Sequence, residues 1–350
     1  MIVMKFGGSS VESGRAIQRV AAIVRDRVPE QPVVVVSAMG KTTDRLVEIA
    51  RLRASGNERD ADRKLAQLRE FHLTEAAQLR LGSEAKRLNT GICELFDELA
   101  QVLQEIGLAG SVTPLLSDTV LSFGERLSSL IVTAGFRQEG IDAVHLDARS
   151  VLITDSAHGQ AAPLFVETNA LLRRNVSSER VTVMGGFIGA TDDGVTTTLG
   201  RGGSDYTAAI VGAALAVDEI QIWTDVDGML TCDPRVVPNA HCLRSVSYAE
   251  AEQMAKAGAK VLHPATVVPA VRQGIPLSIR NSRNPAAAGT RIVLESPCDG
   301  AVMSIACRSG VAQVQLVPRN TPVTADFRSV TNARRSCLIF LATSSARPGS

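Results

Sequence analysis

Aromatic residues are scarce in this chain: 3% of 350 residues, with a single tryptophan. Proteins that hold single-stranded nucleic acid stack bases on aromatic platforms, so that class is excluded. Net charge is missing too. The 37 basic and 36 acidic residues leave +1, so no global basic field exists for nucleic acid or an anionic membrane. No apolar run reaches the roughly 18 residues of a membrane-spanning helix. The first residues lack a signal-peptide layout. Six cysteines (Cys93, Cys232, Cys242, Cys298, Cys307, Cys337) show no CxxC pairing and read as free thiols of a reducing compartment. The expectation is a cytoplasmic protein without nucleic-acid or membrane partners. Five histidines form no HExxH or similar metal pattern. Both GxxxxGK[ST] and GxGxxG are absent, which removes the P-loop and the dinucleotide fingerprint.

What is present is an alternation of strand and helix. Ile2 to Phe6 is a short apolar strand. Ile17, Val20, Ala21, Val24 and Val28 recur at helical spacing. Val33 to Val36 is a β-branched run that suits a strand buried on both faces. Strand, glycine turn, helix and strand make a βαβ unit. Residues 57–107 are charged, rich in Ala, Leu, Glu, Arg and Gln, and free of proline. With Leu65, Leu68, Phe71, Ile92, Leu95, Phe96, Leu99 and Leu103 at helical spacing, they predict a helical excursion from the sheet. Further strands are expected near Val151–Thr154, Val181–Ile188, Ile220–Thr224 and Gly274–Arg280. The Asp-Gly turn at Thr191–Gly194 predicts an antiparallel hairpin over 181–198. Asn281–Gly289 reads as a linker, and 300–317 as the start of a small second module with a strand at Val311–Val317.

Two glycine clusters stand out. One, Lys5-Phe6-Gly7-Gly8-Ser9-Ser10, closes the first strand. The other, Thr198-Leu199-Gly200-Arg201-Gly202-Gly203-Ser204-Asp205, opens a helix over Tyr206–Leu215. Glycine allows positive φ and close approach of backbone N–H groups to an anion. A glycine turn at a helix start is a ready phosphate site. Lys5 beside the glycine pair suits a cation bridging a transferring phosphoryl group. Arg201 can take a carboxylate with its two-pronged fork, and Glu125 can pair with an ammonium. The plainer alternatives stay open here: Glu125 as a helix-start glutamate, Asp205 as a helix N-cap.

Eight motifs in order carry a family likeness. Besides the two glycine clusters they are Val36-Ser37-Ala38-Met39-Gly40-Lys41-Thr42-Thr43-Asp44, Ser122-Phe123-Gly124-Glu125-Arg126, Gly186-Phe187-Ile188-Gly189, Trp223-Thr224-Asp225-Val226-Asp227-Gly228, Asp233-Pro234-Arg235 and Gly258-Ala259-Lys260-Val261-Leu262-His263-Pro264. Together, over about residues 1–317, they resemble the aspartate kinases. The resemblance implies an α/β protein of the three-layer α-β-α amino-acid-kinase (carbamate-kinase-like) fold, with a mostly parallel sheet. It implies Mg²⁺-ATP-dependent phosphorylation of the β-carboxylate of L-aspartate to 4-phospho-L-aspartate, the first step toward lysine, threonine and methionine. Other kinases of the fold, acting on glutamate, acetylglutamate, carbamate or UMP, and a silent amino-acid sensor are the alternatives.

By resemblance, Lys5 and Asp205 are catalytic, with Asp205 organising Lys5 and the metal–phosphate cluster. Ser37, Thr43, Glu125, Phe187, Arg201 and Ser204 hold aspartate. Lys5, Gly7, Gly8, Ser9, Thr224, Asp225, Leu230, Arg235, Lys260 and Val261 hold ATP. Leu230 departs from the tyrosine that many members place near the adenine. His263, followed by Pro264, reads as structural. No metal ligands are expected beyond Mg²⁺ carried by the ATP phosphates.

The likeness implies a kinase domain over 1–296 and a partial ACT-like (α+β) module over 297–327. Residues 328–350 read as an atypical, unstructured tail, in keeping with a truncated or frame-shifted end. A full-length form is expected to be a homodimer.

Overall fold

The structure is a computed structural model that describes residues 1–233, 237–256 and 264–295, and strand segments within 302–343. The chain opens with β1 (Ile2–Phe6), α1 (Gly14–Arg25) and β2 (Pro32–Val36). Four helices follow: α2 (Thr42–Ala54), α3 (Glu58–Ala77), α4 (Glu84–Ala109) and α5 (Pro114–Gln138). Next come β3 (Ala143–Leu146), α6 (Phe165–Asn175) and β4 (Val181–Gly185). A short hairpin of β5 (Ile188–Ala190) and β6 (Thr196–Thr198) leads into α7 (Gly203–Leu215) and β7 (Glu219–Thr224). β8 (Ser245–Ser247), α8 (Tyr248–Lys256), α9 (Val268–Arg272), β9 (Leu277–Asn281) and β10 (Thr290–Val293) complete the main body.

Eight strands form one sheet in the order β3-β4-β2-β1-β7-β9-β10-β8. All neighbours are parallel except the antiparallel pair β9–β10. Side chains alternate across a strand, and the core divides accordingly. Ile2, Met4, Phe6, Val34, Val36 and Trp223 pack with α1 to α5 on one face. Val3, Val33, Val35, Ile220 and Ile222 pack with α6, α7 and α9 on the other. Helix, sheet and helix make the three layers expected from the sequence.

Local signals set the helix ends. Ser13 caps α1 by accepting from the Ala16 N–H, and Thr113 caps α5 with Pro114 behind it. α4 ends at Gly110 in the left-handed region.

Several expectations are corrected. Residues 151–154 form only isolated bridges, Ile153 with Ala190 and Thr154 with Pro163. The strand is β3, at the sheet edge, where three of its four residues are half-exposed and the apolar signal is weak. The 181–198 hairpin is smaller than predicted, because β4 joins the parallel sheet and only β5 and β6 pair antiparallel. The expected linker 281–289 is the turn of the β9–β10 hairpin. β8 and β10 were not legible, being three and four residues long.

In the C-terminal part, β11 (Val302–Arg308), β12 (Ala312–Gln313), β13 (Val330–Thr331) and β14 (Leu338–Thr343) form two antiparallel pairs, β11 with β14 and β12 with β13. The expected strand Val311–Val317 is described only at Ala312–Gln313. Segment 328–350, read as tail, contributes two of these strands, because the apolar run 338–342 finds β11 as a partner.

Candidate active site

Ligands of open α/β sheets gather at the carboxyl ends of the strands. Here the ends of β1, β2, β4 and β7 bring the predicted motifs together. Lys5 alternates with Met4 and Phe6 and so points to the α7 face, alongside Val3. Its Nζ lies 2.7 Å from Asp205 Oδ1, and the two side chains are 12% and 15% exposed. Asp205 is the third residue of α7, whose N-cap is Gly202 rather than Asp205. The negative charge thus sits in the first turn, where the helix dipole favours it.

Among the described residues, the first turn after β1 leaves donors free. The Gly7 N–H goes to the Trp223 carbonyl at 3.1 Å. Gly8 and Ser9 begin the short 3-10 segment Gly8–Ser10, so their N–H groups have no intrahelical acceptor. Gly8 packs against the loop after β2, its carbonyl accepting from the Gly40 N–H at 3.1 Å. A Cβ on Gly8 would stand 2.8 Å from the Ala38 carbonyl oxygen, so only glycine fits.

Glu125 lies in the middle of α5, not at a helix start. It is 4% exposed. Its Oε1 accepts from the Ala38 N–H at 3.1 Å, and its Oε2 is buried without a partner among the described residues. Burial pushes its carboxyl up to about 8; the Ala38 N–H, its own backbone N–H and the charge of Lys5 offset part of that rise. A buried carboxyl with one empty oxygen suits a cationic group from a ligand. Gly185 lets β4 pass close by, since a Cβ there would stand 2.9 Å from Glu125 Cβ.

The second glycine cluster opens α7 and meets the loop after β2 through Ser204. Gly200 and Gly202 have φ of 75° and 73°, and the Gly203 N–H donates to the Gly200 carbonyl at 3.0 Å. Arg201, between them, is exposed and has no ion-pair partner among the described residues. Ser37 Oγ donates to Ser204 Oγ at 3.0 Å. Thr43, in the first turn of α2, is half-buried. Phe187 holds a left-handed backbone, φ 67°, rare for an aromatic residue. Its N–H donates to Thr207 Oγ1 at 2.9 Å and its carbonyl accepts from the Leu199 N–H at 2.9 Å. α7 and the exit of β6 therefore hold the strain.

On the β7 side, the Thr224 carbonyl accepts from the N–H and Oγ of Ser282 at 2.8 and 3.0 Å. Thr224 Oγ1 donates to the exposed Asp225 at 3.2 Å. Leu230 is half-buried and bridges Cys242, and its carbonyl accepts from Ser304 Oγ at 3.1 Å. Arg235, Lys260, Val261 and His263 lie outside the described residues.

A parallel sheet whose strand ends gather a Lys–Asp pair, free turn N–H groups and a vacant carboxylate oxygen is arranged for anionic and zwitterionic ligands. The Amino acid kinase family matches residues 1–281. The chain belongs to that family.

Within the family the chain is similar to aspartokinases. It is 37% identical over 293 residues to the bifunctional aspartokinase/homoserine dehydrogenase 1, chloroplastic, of Arabidopsis thaliana, over 83% of this chain and 32% of that protein. It is 38% identical over 295 residues to the lysine-sensitive aspartokinase 3 of Escherichia coli strain K12, over 83% of this chain and 64% of that one. The solved structure of E. coli aspartokinase III in complex with aspartate and ADP superposes with a TM-score of 0.80 at 36% identity, covering 89% of this chain and 68% of that chain. The chain thus spans about a third of the bifunctional plant relative and under two thirds of the E. coli one. The likeness read from the ordered motifs is therefore matched by sequence and by fold.

Sequence reasoning missed Asp118, Thr207, Gly185 and the Ala38 N–H. Asp118 carried one usable signal, its seven-residue spacing from Glu125, which puts both on one face of a helix.

Proposed function

We propose that this chain transfers the γ-phosphoryl group of ATP to the β-carboxylate of L-aspartate. The observation that carries the reading is Glu125, buried with Oε2 unpartnered, beside the Lys5–Asp205 pair. A carboxylate oxygen of the substrate attacks the γ-phosphorus while the bond to the bridging oxygen of ADP breaks. The products are 4-phospho-L-aspartate and ADP. The nucleophile is already anionic, so no strong general base is needed. The task is to hold two anions in line and neutralise the charge that develops.

In this reading Glu125 takes the α-ammonium and Arg201 the α-carboxylate. Ser37, Thr43 and Ser204 offer hydroxyls, and Phe187 forms an apolar wall. Lys5, held by Asp205, meets the transferring phosphoryl, and the free N–H groups of Gly8 and Ser9 meet phosphate oxygens. Gly7 contributes shape rather than a donor. Thr224, Asp225 and Leu230, together with Arg235, Lys260 and Val261, are assigned to the nucleotide.

The described residues hold no cluster of three His, Cys, Asp or Glu side chains suited to a metal ion. Mg²⁺ keeps waters and phosphate oxygens in such sites, so it fits as the ion of ATP, neutralising phosphate charge. The division into a kinase domain ending near 296 and a further module belongs to the same proposal. Among the described residues no helix is long and apolar enough to cross a membrane.

The test is hydroxamate formation with Mg²⁺-ATP and hydroxylamine across L-aspartate, L-glutamate and N-acetyl-L-glutamate, with ADP release measured for UMP. A strong preference for L-aspartate is expected. Equal use of glutamate, or turnover of UMP alone, refutes the assignment.

A further inference from the structure

Asp118 lies outside every motif above, yet it is the most heavily bonded carboxylate among the described residues. It sits in the second turn of α5 and is 1% exposed. Its Oδ1 accepts from Thr198 Oγ1 at 2.6 Å and from the Gly159 N–H at 3.1 Å. Its Oδ2 accepts from the Thr198 N–H at 3.1 Å, the Gly159 N–H at 2.9 Å and His158 Nδ1 at 3.0 Å. One side chain thereby joins three segments: α5, the loop at 158–159 and the end of β6.

The arrangement continues into the glycine turn. The Thr198 carbonyl accepts from the Ala161 N–H at 2.9 Å, so the N–H, hydroxyl and carbonyl of Thr198 are all tied down. Arg201 follows three residues later. Gly200 rests on the same loop, where an added Cβ would stand 3.0 Å from the Gly159 carbonyl oxygen. The loop that Asp118 holds is therefore the floor under the Arg201 turn.

Glu125 stands seven residues along the same helix. Two helical turns span roughly 10 Å, and positions seven apart share a face. One rigid element thus carries Glu125 directly and fixes the Arg201 turn through Asp118. We propose that Asp118 is a positioning residue that holds the Arg201 turn in register with Glu125, and thereby sets the affinity for the α-ammonium and α-carboxylate groups of the amino-acid substrate. The inference rests on the proposed reading of Glu125 and Arg201 as holders of the two charged groups on the α-carbon of the amino acid.

The physical basis is replacement of acceptors by a donor. Asp118→Asn keeps the shape but turns an amide NH₂ toward N–H groups, leaving buried donors unpaired. Thr198→Val removes a single hydroxyl and keeps the volume, so it retains the fold if Asp118→Asn does not.

The experiment compares the wild type with Asp118→Asn and Thr198→Val. Steady-state constants are measured for ATP and for whichever acid of the panel the wild type prefers. Amide exchange of residues 199–203 and of α5 is followed in parallel. Asp118→Asn is expected to raise KM for the acid by about tenfold and to change KM for ATP less than about twofold. Exchange at 199–203 should quicken, and α5 should keep its protection. Thr198→Val should move the same quantities less far in the same direction. Unchanged exchange at 199–203 in both variants overturns the proposal. So does a rise in both KM values together, or an unaltered KM for the acid. A wild type that prefers another acid refutes the aspartate assignment alone, since the exchange measurement does not depend on the substrate.

Discussion

Lys5 and Asp205 meet at 2.7 Å across the junction between β1 and the first turn of α7, with both side chains largely withdrawn from water. The lysine comes from the sheet and the aspartate from the helix above it. The pair therefore fixes a positive charge at the strand ends, where phosphate is proposed to react. Lys5→Ala is expected to lower kcat by roughly 10²–10³, the loss typical of one preorganised electrostatic donor. Steady-state assays with saturating aspartate and ATP check this. A kcat near that of the wild type would remove Lys5 from the chemistry.

Glu125 links stability to pH. Its carboxyl is raised in the folded protein to about 8 from an ordinary value of 4.5, chiefly by burial. Between those values the folded state binds more protons than the unfolded one, so stability falls as pH rises and levels off above about 8. Glu125→Gln lacks this titration. The wild type should lose more thermal stability between pH 5 and pH 8 than Glu125→Gln does, as read from unfolding midpoints. Parallel pH profiles would contradict the raised value.

The same carboxyl predicts proton release on binding. An ammonium at Oε2 favours the ionised form, so L-aspartate should expel a proton from Glu125 near pH 7. Calorimetric titrations in buffers of different ionisation enthalpy measure that proton. Binding enthalpies independent of buffer would argue against the ammonium position.

Arg201 is exposed, and the described structure gives it no ion pair to lose. Arg201→Ala should leave the unfolding midpoint nearly unchanged, since surface substitutions cost within about 0.5 kcal/mol. It should raise KM for aspartate about tenfold or more through loss of a two-pronged carboxylate contact. An altered KM for ATP with normal aspartate affinity would assign Arg201 to the nucleotide instead.

Gly185 tests the packing of α5 on β4. A methyl there would stand 2.9 Å from Glu125 Cβ and 3.2 Å from the Glu125 carbonyl oxygen. Gly185→Ala should destabilise the protein by about 1–3 kcal/mol through overpacking. Urea denaturation gives the value, and aspartate binding should weaken with it because the helix that carries Glu125 must shift.

Much of this protein was legible in its residues. The strand-ending Lys5-Phe6-Gly7-Gly8, the glycine turn around Arg201 and the proline-free stretch 57–107 each bear a local signature of composition or spacing. Local signatures survive because they depend on φ preference, side-chain period and charge within a few residues. The short strands β3 and β8 at the sheet edges, and β10 beside β8, have no such signature. They exist because neighbouring strands offer unpaired backbone.

Tertiary structure alone decided the chemistry of two carboxylates on one helix. Sequence left Glu125 open between a helix start and a ligand, and passed over Asp118. In the fold Glu125 is sealed beneath Ala38 and Gly185 with one oxygen vacant. Asp118 is filled by donors from residues 158, 159 and 198. The two residues are identical in the character of their acid group and lie two turns apart. Their environments diverge because desolvation and hydrogen-bond supply are set by segments distant in the chain, which only the folded molecule brings to them.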